Sequence, residues 1–183
     1  VEMANSLQPD LIALTGDFSD GDVELLRPAI APLENLKAKH GSYFVTGNHE
    51  YYWDPEGWLN EYRALGAKIL TNEHVVITEK TTKLVIAGVT DHTTGGRILG
   101  QESDPHKALV GAPQGVKILL AHQPESHVEA AKAGFDLQIS GHTHAGQFFP
   151  FSLFMPLAHR YYVGLNKHEN MWIYVNRGTG YWG

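Results

Sequence analysis

Gly141-His142-Thr143-His144 follows the apolar run Phe135 to Ile139. A strand that ends by presenting two imidazoles on one loop can hold a metal ion, because neutral imidazole is the commonest protein metal ligand. Surface histidine pairs are common, so the pair alone says little. Three other segments add weight: Gly16-Asp17, Gly47-Asn48-His49-Glu50 and Ala121-His122-Gln123-Pro124. Each also follows an apolar run, so Asp17, Asn48, His49, His122, His142 and His144 all sit at the starts of polar loops. Ligands gather at the carboxyl ends of strands in open α/β sheets. If these strands are neighbours, the six side chains converge at one edge.

The donors are carboxylate and amide oxygen with imidazole nitrogen, and no sulfur is available because the chain has no cysteine. Such a set suits Mn, Fe, Zn or Co better than Ca or Mg. Asp17 is the acidic residue placed to bridge two ions, and neutral Asn48 limits the negative charge. A two-metal site lowers the pKa of bound water toward about 7. The resulting metal-bound hydroxide is suited to attack phosphorus. His49 adjoins Asn48 and is better placed for substrate, where it can protonate a departing alkoxide. Asp20 is placed to orient the His49 ring. Asp91 and His92 follow a strand and are weaker candidates for a substrate cleft. Of the 11 histidines, His40, His74, His106, His127, His159 and His168 lie in polar stretches and read as surface or structural residues. Arg177, in a glycine-flanked loop, reads as a surface residue.

The elements that must position these residues are legible in outline. Apolar runs predict strands over 10–15, 42–46, 68–70, 75–78, 83–89, 116–121 and 135–140. Helices are expected over 1–7, 22–39, 55–65, 104–110 and 124–133. Pro28 and Pro32 should break or kink the second of these. Alternation predicts a late hairpin over 160–165 and 171–176. Strands alternating with helices argue for α/β layers, and the extra strands for two sheets. The aromatic, proline-broken stretch Phe148 to Leu157 reads as a packed cap over the core, with a membrane-facing lip as the alternative.

The 183 residues suit one domain spanning 1–183. A net charge of −6 argues against nucleic acid as a partner. No apolar run reaches the roughly 20 residues that span a bilayer, and no targeting segment is visible.

Gly16-Asp17-Phe18-Ser19-Asp20, Gly47-Asn48-His49-Glu50, His122 and Gly141-His142-Thr143-His144 together resemble the calcineurin-like metallophosphoesterase superfamily. The runs Gly47 to Tyr52, Leu119 to Pro124, Gly141 to Gln147 and Tyr174 to Gly180 look like its bacterial YkuE/YaeI-like branch. The resemblance implies a four-layer αββα sandwich with two mixed sheets and a phosphoesterase of the phosphodiesterase kind. It makes Asp17 the bridging ligand, with Asn48, His122 and His142 completing one metal site. It assigns His144 to a second site and makes His49 the catalytic histidine. It further implies a bacterial, membrane-associated or exported protein acting on a small or lipid-like cell-envelope phosphoester. The first motif of the family, Asp-x-His, is missing and belongs before Val1, and a further strand is expected after Gly183. The chain is thus expected to be trimmed at both ends, with one good metal site and one crippled site unless a partner chain supplies ligands. A non-catalytic metal-binding module is the alternative that this departure supports.

Overall fold

The computed structural model describes residues 1–94 and 101–180. Two sheets stack face to face. The smaller has the order β1 (Ile12–Leu14), β2 (Ser42–Phe44), β3 (Lys68–Ile69), and both its pairings are parallel. The larger contains β4 (Glu73–Glu79), β5 (Thr82–Gly88), β6 (Val116–Leu120), β7 (Leu137–Ser140), β8 (Gly164–His168) and β9 (Met171–Val175). Its order is β4-β5-β6-β7-β9-β8. β5, β6, β7 and β9 run parallel, while β4 and β8 pair antiparallel at the two edges. The larger sheet is therefore mixed, as expected, and the smaller is parallel throughout its described strands.

Strand alternation builds the layers. On β1 and β2, Ile12, Leu14 and Phe44 turn toward α2 (Val23–Ile30) and α4 (Pro55–Ala64), meeting Ile30, Trp58, Leu59 and Tyr62. The alternate residues Ala13, Tyr43 and Val45 turn the other way. They meet Ile86, Ile118, Leu120 and Ile139 of the larger sheet. That sheet's opposite face, with Ala87, Leu119 and Ile173, packs on α5 (Pro105–Ala108) and α6 (His127–Ala133). Period-two side-chain alternation in two stacked sheets, each backed by helices, gives the αββα order.

Local chemistry sets the helix limits. The Asp54 carboxylate accepts from Gly57 N–H at 3.0 Å, capping α4, with Pro55 at its first turn. Gly134 ends α6 in the left-handed region, φ 88°. The expected helix over 22–39 stops at Ile30 and passes into a 3-10 turn, Ala31–Asn35. Pro32 has no N–H to continue the ladder.

Two expectations need correction. The first strand of the late hairpin is Gly164–His168, further along than 160–165. Tyr161 is drawn into the core instead, and its hydroxyl donates to the Lys167 carbonyl. Phe151–Ala158 is not a packed cap: it forms a helix, α7, with no buried residue. One short helix, α3 (Asn48–Tyr52), was not foreseen. His127 is a structural histidine. It is buried, its Nδ1 lies 3.0 Å from the Pro124 carbonyl, and its ring stands edge-on to Tyr161 and His168.

Candidate metal centre

The chain leaves β1, β2, β6 and β7 at the same end of the sandwich. Asp17, Asn48, His122 and His142 follow those four strand ends. The two loops from the smaller sheet approach so closely that only glycine fits. A Cβ on Gly16 would lie 2.4 Å from Gly47 N, and one on Gly47 would lie 2.1 Å from Asp17 Oδ1.

Asp17 is the hub. Its Oδ1 accepts the His49 backbone N–H at 3.0 Å, and its Oδ2 lies 2.9 Å from His122 Nε2. His122 is buried, and its Nδ1–H donates to the Thr15 carbonyl at 2.6 Å. That bond turns Nε2 toward Asp17 and toward His142 Nδ1, 3.1 Å away. The donor atoms of Asp17, His122 and His142 all lie within 4.8 Å of one another.

Electrostatics match this crowding. Burial raises the Asp17 pKa, but the hydrogen bond and charge of His122 outweigh it and hold it below the usual carboxylate range. Burial alone lowers His122, yet the Asp17 carboxylate carries it above its ordinary value. Burial, with His122 beside it, pushes His142 down to about 4. Neutral imidazole is the ligand form.

A metal fits these residues. The Asn48 side chain is buried, its Nδ2 donates to the Tyr52 hydroxyl at 3.1 Å, and its Oδ1 has no hydrogen-bond partner. An unpartnered buried amide oxygen, on the residue between Gly47 and His49 whose backbones meet Asp17, is what a cation would satisfy. His144 falls outside the compact group. Its ring lies against Gly178, and its Nδ1 is likewise buried without a partner. The turn carrying the pair is strained: His142, His144, Ala145 and Gln147 have φ of 68°, 46°, 53° and 45°. Asp17 joins them with φ 58°. Non-glycine residues held in that region cluster at functional sites.

His49 lies at the rim. Its Nε2 is 4.0 Å from Asp17 Oδ2, and its Nδ1 is 3.0 Å from Asp20 Oδ1. Asp20 Oδ1 also accepts from Trp53 Nε1 at 3.2 Å. The hydrogen bond from His49 holds the Asp20 carboxyl below its ordinary pKa.

Two carboxylates behind the site have roles that were not foreseen. Glu50 is fully buried and accepts from Gly47 N at 2.7 Å, Phe18 N at 2.9 Å and Asp17 N at 3.1 Å. Ser19 Oγ and Tyr62 OH also donate to it, each at 3.3 Å. Burial pushes its carboxyl above the usual range, and the N–H donors oppose that. Its signal was present: an acid two positions after Asn48 in Gly47-Asn48-His49-Glu50, facing a helix start. Asp91, a weak cleft candidate, is fully buried and accepts from Thr93, Thr94 and Gln123. It braces the residue next to His122. His92 and Arg177 are exposed.

A family model described as "Calcineurin-like phosphoesterase" matches residues 1–146. The chain is 40% identical over 192 residues to "Transmembrane protein with metallophosphoesterase domain" of Danio rerio, covering 100% of this chain and 44% of that protein. It is 41% identical over 189 residues to an uncharacterized metallophosphoesterase of Helicobacter pylori, covering 100% of this chain and 49% of that protein. YkoQ of Bacillus subtilis, an uncharacterized metallophosphoesterase, is 30% identical over 182 residues, with 93% and 65% covered. Thermus thermophilus sulfate thiohydrolase SoxB superposes with TM-score 0.61 at 14% identity, over 90% of this chain and 33% of that one. Its likeness concerns the fold. The chain therefore belongs to the calcineurin-like metallophosphoesterase family, whose members depend on metal. It spans less than half the length of the Danio and Helicobacter relatives. Among the described residues, no helix is long and apolar enough to cross a membrane.

Proposed function

We propose that this chain carries the catalytic centre of a metal-dependent phosphodiesterase. The observation that carries the reading is the convergence of Asp17, His122 and His142, together with the unpartnered buried Asn48 Oδ1. Asp17, Asn48, His122 and His142 would hold one divalent transition ion, Mn, Fe, Zn or Co, and His144 would serve a second position that Asp17 bridges. Bound there, the ions supply positive charge to phosphoryl oxygens and lower the pKa of water.

The protein's own groups do the rest. Glu50 fixes the backbone of both loops that present Asp17 and Asn48. The Thr15 carbonyl holds the His122 tautomer. His49 would pass a proton to the departing alkoxide from Nε2, while Asp20, 3.0 Å from Nδ1, orients the ring. Trp53 in turn steadies Asp20. The half-exposed aromatic rim of Tyr52 and Trp53 around His49 supports a substrate with an organic group on each side of phosphorus. A lipid-like or cell-envelope diester suits that rim, and the Danio relative's description as a transmembrane protein supports membrane proximity.

The test compares bis(4-nitrophenyl) phosphate with 4-nitrophenyl phosphate in the presence of Mn. The diester should turn over faster, by about tenfold or more. Faster hydrolysis of the monoester would remove the diesterase reading. No hydrolysis of either, with any of the four metals, would remove the enzyme.

A further inference from the structure

The least expected surface of the molecule is α7 and the segment leading to it. Phe148, Phe149, Phe151, Leu153, Phe154 and Leu157 are 48%, 78%, 63%, 63%, 57% and 85% exposed. Residues 148–158 hold no charged side chain. Water-soluble surfaces rarely concentrate so much contiguous apolar area without a partner for it.

The helix is held in place. Its inner side, Ser152 and Met155, packs on the turn of the His144 loop: a Cβ on Gly146 would lie 2.5 Å from Ser152 Cα and 2.6 Å from Met155 Cγ. At its far end, His159 Nδ1 lies 2.5 Å from Glu125 Oε1, in the 3-10 turn that follows His122. The His159 ring stands edge-on to His142, centroids 6.0 Å apart. The apolar side chains thus point away from the loops that carry the metal-ligand candidates, on a helix braced against them.

Charge selects the partner. The chain has net charge −6. Residues 137–183 contain Arg160, Lys167 and Arg177 against Glu169 alone, a net of 3 − 1 = +2, so the remainder carries −8. Arg160 sits immediately beyond α7 and is exposed. An uncharged apolar helix with the exposed Arg160 just past its end, on a segment of opposite sign to its own protein, matches an anionic bilayer: side chains enter the acyl boundary and the cation meets headgroups.

We propose that α7 is an interfacial docking helix that seats this protein on an anionic lipid surface and brings the metal centre to the headgroup level. It deepens the proposed function by making the substrate a phosphodiester presented in or on that surface. Lying flat, α7 would cover about 12 Å of the interface.

The experiment is flotation of the purified protein with phosphatidylglycerol vesicles and with phosphatidylcholine vesicles. It is repeated for Phe151→Asp combined with Leu157→Asp, whose side chains are exposed in the folded protein and whose folding is confirmed by circular dichroism. The protein should float with phosphatidylglycerol, several-fold less with phosphatidylcholine, and the variant should lose at least about tenfold in bound fraction. Equal flotation of variant and wild type overturns the proposal. So does absence of flotation, including the case in which sedimentation shows the same two residues driving association of two copies. Turnover of soluble bis(4-nitrophenyl) phosphate is read in parallel. Turnover without flotation sinks the docking helix alone, and flotation without turnover sinks the phosphoesterase alone.

Discussion

His49 is the residue whose role is most open to direct test. Its backbone N–H holds Asp17 Oδ1, but its Nε2 lies 4.0 Å from Asp17 Oδ2, outside the compact group of donor atoms, so the ring can be removed while Asp17, His122 and His142 stay in place. His49→Ala should lower diester turnover by about 10² to 10⁴-fold, with metal content by atomic emission unchanged. An equal loss of metal would mean that the ring is a ligand instead. Asn48, His49, His122 and His142 stood out as candidates in the sequence because each stands just past an apolar run, and a strand end is where an α/β sheet presents ligands. The unpartnered state of Asn48 Oδ1 was not legible. It depends on where Tyr52 places its hydroxyl, one turn along a helix that the sequence pattern did not disclose.

Between elements, the decisive piece is Glu50. It sits on α3, yet it accepts backbone N–H groups from the loop after β1 and the loop after β2. One buried carboxylate therefore sets the distance between Asp17 and Asn48. Glu50→Ala would leave those donors without partners, at about 1–3 kcal/mol for each buried group. Urea unfolding should show a loss of about 3 kcal/mol or more. A loss below about 0.5 kcal/mol, within the range of an ordinary surface change, would contradict the clamp. Most strands and their layers were readable from periodicity, because β1, β2, β5 and β6 are dominated by apolar residues and β9 alternates buried and exposed positions. The exact limits of β8 were not, since Tyr161 belongs to the alternation by type but to the core by contact with Met171 and its neighbours. α7 was missed for a related reason. Its prolines suggest breaks, but Pro150 stands before the first turn, and Pro156 is accommodated within the helix.

At the scale of the molecule, the two sheets act as one frame. The parallel strands β1 and β2 of one sheet and β6 and β7 of the other open toward the same edge, and the Gly141 N–H bond to the His122 carbonyl at 2.9 Å ties the last two loops together. The candidate ligands from both sheets meet only if the sandwich is intact, so folding and metal binding should be coupled. The central claim is that this shared edge is a metal-dependent hydrolytic centre. Its most direct test is bis(4-nitrophenyl) phosphate turnover by the protein as isolated, after chelation, and after return of Mn, beside His122→Ala carried through the same steps. Turnover should disappear on chelation and return with Mn in the wild type, and should stay absent in His122→Ala. Turnover that survives chelation, or that Mn restores equally to His122→Ala, would contradict the account.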